Sequence, residues 1–106
     1  MKRFILVLTT VPEEEIGQQI ARVIVEERLA ACVTVSSASQ SFYRWKGKIT
    51  NDQEYILFIK TRASVYDKLE ARLKELHPYE VPEIIALPIE RGSEKYLAWV
   101  GEETKS

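Results

Sequence analysis

The apolar pattern of the chain predicts an α+β domain in the ferredoxin-like βαββαβ arrangement. Three observations predict it. Phe4–Leu8 and Tyr55–Ile59 are apolar at every position, as strands covered on both faces are. Two longer segments, about 13–29 and 64–76, instead repeat their apolar residues at helical spacing. Between them, Lys46-Gly47 separates two extended arms of similar length, which is a hairpin signal. Strand, helix, strand, strand, helix, strand then closes as two right-handed crossovers around one antiparallel sheet of order 4-1-3-2. The two continuously apolar strands become the central pair. The fourth lies at an edge, where Pro88 is tolerated.

Taken in order, Phe4–Leu8 is the first strand. Thr9 or Thr10 offers a cap to the first helix, and Pro12 sits where a first-turn proline is allowed. Glu13, Glu14 and Glu15 suit the positive end of its dipole, which is the reading preferred over a cation patch. Ile16, Ile20, Val23, Ile24 and Leu29 form the buried stripe. Cys32–Ser36 is the second strand, 37–41 is irregular, and Phe42–Trp45 is extended again. After the turn, Lys48-Ile49 returns, Thr50–Gln53 interrupts, and Glu54–Lys60 is the strong third strand. Thr61 or Ser64 caps the second helix, which carries Val65, Leu69, Leu73 and Leu76 on one stripe. The stretch Leu76-His77-Pro78-Tyr79-Glu80-Val81-Pro82 ends that helix. Its prolines push His77 and Val81 towards extended backbone and aim the fourth strand, Glu83–Glu90. Ser93 caps a short last helix, Glu94–Val100.

Bulk properties narrow the function. The 106 residues carry a formal charge of −1, so no basic field draws in nucleic acid. No apolar run approaches the ~18 residues of a membrane span, so no membrane insertion is expected. The start, Lys2–Leu8, has too short an apolar run for a signal peptide and lacks a small-residue cleavage pattern. The single cysteine, Cys32, excludes an intramolecular disulfide and fits a reducing, cytoplasmic setting. The four glycines are scattered, so there is no phosphate-binding loop, and spacing places no nucleophile beside a base. An RNA-recognition reading of the same fold fails, because Tyr55 and Phe58 fall on opposite faces and no glycine lies between them. No enzymatic reaction is expected.

Two features call for a second copy of the chain. Right-handed crossovers put both long helices on one face of the sheet, yet both faces of the central strands are apolar. In addition, the arms flanking Lys46-Gly47 run to about fourteen and thirteen residues, roughly 40 Å each at about 3.3 Å per residue, far beyond the first strand. An isolated ribbon of that kind is marginal in water. A symmetric homo-oligomer meets both needs.

Five segments resemble the CutA divalent-cation-tolerance proteins: Glu27–Val33, Tyr43-Arg44-Trp45-Lys46-Gly47, Lys60-Thr61, Leu76–Ile84 and Tyr96-Leu97-Ala98-Trp99. They occur in order across nearly the whole chain. The resemblance implies one CutA-like domain over 1–106, assembled as a homotrimer with its sheets around a three-fold axis. It also implies a link to tolerance of copper and other divalent ions, with no agreed reaction. Thr34 departs from it, standing where the family often shows asparagine.

His77, the only histidine, is the leading metal candidate, because neutral imidazole suits copper and zinc. The plainer role is a helix-terminal histidine serving the last carbonyls. Glu80 is the candidate second ligand, with Asp52 or Glu54 within reach of the same end of the sheet. A weakly held copper or related divalent ion is therefore the expected cofactor, if any. Cys32 belongs at the opposite end of the sheet, as a small core thiol. Tyr43, Trp45, Tyr55, Leu57, Tyr96 and Trp99 are the expected interface residues. Tyr43, Arg44 and Trp45 fit packing between copies better than base stacking. The alternative function is a trimeric scaffold like the PII signalling proteins, which would want a long mobile loop between strands two and three. A site at a subunit junction near His77, Tyr79 and Lys60 is the remaining, enzymatic, reading.

Overall fold

The computed structural model describes residues 3–105. Five strands and three α-helices follow one another as β1 (Phe4–Val11), α1 (Glu14–Glu26), β2 (Cys32–Val35), β3 (Ser39–Trp45), β4 (Lys48–Arg62), α2 (Tyr66–Leu76), β5 (Ile85–Pro88) and α3 (Glu94–Glu103). All pairings are antiparallel, the order is β2-β4-β1-β5, and β3 pairs with β4 off that path. This is the expected ferredoxin-like sheet, with the hairpin's first arm divided into β2 and β3. Pro88 ends the edge strand β5, where its missing N–H faces no neighbour.

Alternation along the central pair shows which face holds the core. Ile5, Val7, Thr9 and Val11 of β1 and Leu57, Ile59 and Thr61 of β4 are buried, and the apolar ones pack with Ile20, Ile24, Leu69 and Leu73 of the helices. Gly17 lets α1 come close: a Cβ there would lie 3.1 Å from Val11 and 3.2 Å from Leu57. The opposite face carries Leu6, Leu8, Ile56 and Phe58, half-buried, beside Ile85 and Leu87, 48% and 44% exposed. One corner of that face is covered. The last helix, α3, lies against Phe4, and Arg62 Nε donates to Thr104 Oγ1 at 2.9 Å. α3 is also longer than expected, running to Glu103 rather than Val100.

The caps differ from expectation at two helices. Thr9 and Thr10 stay in β1, held in register with Leu57 and Ile56, so α1 begins after Glu13 with no side-chain cap. Thr61 also stays in its strand, and its hydroxyl donates to the Leu29 carbonyl at 2.7 Å, while Ser64 lies in a 3-10 turn, Ala63–Val65, that leads into α2 uncapped. Ser93 does cap α3, accepting from the Tyr96 N–H.

The hairpin is a two-residue turn with positive φ at both Lys46 (50°) and Gly47 (79°), the type I′ signature. β4 runs through Thr50–Gln53 without the expected interruption. Its polar residues there are satisfied across the ribbon: Asn51 Nδ2 donates to Gln40 Oε1, and the Tyr43 hydroxyl donates to Asp52. The break falls in the other arm only. Val35 faces Leu57 and Ser39 faces Glu54, so four steps on one arm match three on the other, a one-residue bulge. Beyond Tyr55, the partner of Val11, no third strand among the described residues pairs with the ribbon, and it stretches the molecule to 44 Å along its long axis.

Candidate functional site

The end of the sheet from which the ribbon leaves is crossed by the α2–β5 connection. Helix α2 stops because Pro78 follows His77 and leaves it extended, at φ −81° and ψ 136°. The His77 N–H still closes the helix onto the Leu73 carbonyl. Its ring turns inwards, and the residue is only 8% exposed. Nε2 lies 2.8 Å from the Thr10 carbonyl of β1, and Nδ1 accepts the Tyr79 N–H at 3.1 Å. Tyr79 tilts against the imidazole, with ring centroids 5.0 Å apart, and its hydroxyl donates to Glu54 Oε2 at 2.7 Å. Glu54 is itself buried, at the start of the three-stranded part of β4. The connection is therefore tied to both central strands.

Electrostatics follow from these contacts. Burial lowers the His77 pKa from its usual value, opposed by the Thr10 carbonyl and the Glu54 charge. Burial and the Glu54 carboxylate together push the Tyr79 phenol well above the usual range. On the ribbon, the bond to Asp52 raises the Tyr43 phenol. Two acid–phenol pairs thus line the ribbon, Tyr79–Glu54 at its base and Tyr43–Asp52 further towards its tip. The second was recoverable from the turn: counting back from Lys46-Gly47 sets Tyr43 opposite Thr50 and diagonal to Asp52.

As a metal centre the arrangement fits poorly. Both ring nitrogens of His77 already face backbone partners, both candidate carboxylates of β4 serve phenols, and Glu80 is exposed on the loop. Among the described residues, no group of three or more His, Cys, Asp or Glu side chains could hold an ion. Cys32 lies at the other end of the sheet, paired with Lys60, four residues along β4 from Ile56 and so about 13 Å away. Lys60 Nζ donates to Thr34 there, and Tyr96 of α3 contacts Cys32.

Of the six expected interface residues, Tyr43, Trp45, Tyr96 and Trp99 are exposed at 40–58%. Tyr55 is half-buried against the core. Leu57 is a correction: it is fully buried under the helices and has no surface to offer. A run apolar on both faces does not reveal which face the helices take, and here Ile56 and Phe58 are the outward pair. Among the exposed apolar residues that the interface set left out, Val81, Phe42 and Ile49 are the most open, at 82%, 71% and 67%.

Residues 5–103 match the family model described as CutA1 divalent ion tolerance protein. The chain belongs to that family. It is 52% identical over 99 residues to the divalent-cation tolerance protein CutA of Thermus thermophilus, covering 93% of this chain and 96% of that one. A solved structure of the Thermus thermophilus protein superposes with a TM-score of 0.94 at 50% identity, over 96% of this chain and 99% of that one. Identity to the chloroplastic CutA protein of Arabidopsis thaliana is 46% over 102 residues, and that match spans 96% of this chain but 56% of the plant protein. With the family settled, the five resembling segments can be located. Glu27–Val33 leads from α1 into β2, and Lys60-Thr61 pairs with it; Tyr43–Gly47 is the ribbon tip; Leu76–Ile84 is the α2–β5 connection; Tyr96–Trp99 lies on α3.

Proposed function

We propose that this CutA1-family chain works as a homotrimer in divalent-cation tolerance, associating weakly with copper or a related divalent ion and catalysing no reaction. The carrying observation is the apolar surface left by a single copy. Leu6, Leu8, Ile56, Phe58, Ile85 and Leu87 form one side of the sheet, and the ribbon presents Phe42 and Ile49 on one face and Tyr43 and Trp45 on the other. Monomers rarely leave so continuous an apolar surface to water. Sheets packed around a three-fold axis would cover it, and a ribbon apolar on both faces suits insertion between neighbours.

In this reading His77 and Glu80 would be the contacts of a weakly held ion. A single unpaired cysteine supports the cytoplasm as its compartment. The PII-like alternative gains no support, since the stretch that would be its mobile loop is a hydrogen-bonded ribbon. Calorimetric titration with Cu²⁺ tests the ion contacts. His77→Ala is expected to remove most of the heat of binding; unchanged stoichiometry and affinity would sink the assignment.

A further inference from the structure

Copies around a three-fold axis cannot meet through one shared patch. A closed ring needs two different surfaces on each copy, and the two must fit one another. The ribbon supplies the first. Residues 39–51 hold no acidic side chain, and Arg44, Lys46 and Lys48 stand together at the tip, beside exposed Phe42, Trp45 and Ile49. Trp45 and Lys48 are cross-strand partners, so an indole and an ammonium group leave the tip on the same face.

The second surface lies at the other end of the sheet, where the Ala31 N–H donates to the Lys60 carbonyl. There the last turns of α1 and α3 border a cleft of about 280 Å³ beside Ala31, walled by Val25 and Trp99, each 40% exposed. Glu26 and Glu103 line it, and Arg28 is the cation among its lining residues. Both helices bring the negative end of their dipole here, and neither carries a basic residue in its last turn. Arg28 Nη1 is spent on Glu103, at 3.7 Å, and on the Glu102 carbonyl, at 3.4 Å. Among the described residues no ion pair engages Glu26. A carboxylate at a helix C-terminus is locally unfavourable, and a cation from outside the chain relieves it.

We propose that each copy seats its ribbon tip in this cleft on the next copy, with Trp45 against Trp99 and Val25, and Lys48 beside Glu26 and Glu103. The inference rests on the homotrimer reading and adds which surfaces close the ring. Ribbon tip and cleft sit at opposite ends of one chain, so the contact is head-to-tail and cannot form within a copy. The aromatic pair gives the seat an apolar centre, and the ion pairs around it set its register.

Zero-length carbodiimide coupling of the unmodified protein tests the seat. Peptide mapping of the covalent product should find Lys46 or Lys48 joined to Glu26 or Glu103. Charge reversal gives a second readout. Glu26→Lys suits the dipole of its own helix, so a role confined to one copy predicts no loss of assembly. Seating predicts that the concentration of half-dissociation, read from a sedimentation dilution series, rises about tenfold. Lys48→Glu should do the same, and the two changes together should recover most of the loss. If the protein sediments as three chains but those links are missing, or reversal leaves assembly unchanged, the seat is wrong and the homotrimer stands. If it sediments as a single chain, both are wrong.

Discussion

Ser36 and Ile56 are joined twice: the Ser36 N–H donates to the Ile56 carbonyl at 2.9 Å, and the Ile56 N–H donates to Ser36 Oγ at 2.8 Å. The second bond replaces a ladder bond that the bulge would otherwise leave unmade. It is how the sheet passes its direction to the ribbon. Ser36 Oγ in turn donates to the Ser37 carbonyl at 2.7 Å, fixing the hydroxyl's orientation.

Ser36→Ala should therefore destabilise the fold by about 1–2 kcal/mol, the effect of leaving a half-buried N–H without its partner. Urea unfolding followed by circular dichroism measures it. A loss below a few tenths of a kcal/mol would mean that water replaces the hydroxyl and that the bulge does not depend on it.

Lys46 holds a left-handed φ of 50° in a turn that asparagine fits better. Lys46→Asn should raise stability by about 0.5 kcal/mol, and Lys46→Val should lower it by about 1 kcal/mol, because a β-branched side chain resists that conformation. Unfolding midpoints of the two variants should lie on either side of the parent's. Equal midpoints would show that the tip is not formed as described.

The pH dependence of stability should carry a mark of His77. Its pKa is lowered by burial in the folded chain, so the folded state prefers neutral imidazole. Below the ordinary value of about 6.5 the unfolded chain takes up the proton first. The contribution of His77 is thus complete above that pH and lost as pH falls through the lower, folded value. The denaturation midpoint should drop between pH 7.5 and 5, and the drop should be smaller in His77→Gln. Parallel pH profiles for the two proteins would contradict the burial described.

Much of this architecture was legible in the residues, for definite reasons. Phe4–Leu8 and Tyr55–Ile59 betray central strands because few other contexts cover both faces of a strand. Lys46-Gly47 betrays a two-residue turn because glycine accepts positive φ. His77 is extended because Pro78 follows it. What stayed hidden depended on partners distant in sequence. Thr9, Thr10 and Thr61 look like caps until register binds them into β1 and β4. Thr50–Gln53 looks like a break until Gln40 and Tyr43 are seen opposite. Leu57 and Phe58 read alike, and only helix packing sends one inwards. At the candidate site, the sequence brought out His77 as the single histidine. The Tyr79–Glu54 bond beside it spans 25 residues and leaves no local signal.

The central claim is that one copy of this chain is an incomplete surface. Analytical ultracentrifugation at micromolar concentration tests it most directly. A sedimentation-equilibrium mass close to three times the 12.2 kDa chain is the expected result. A mass near 12.2 kDa, with the exposed ribbon and sheet face still folded, would contradict it.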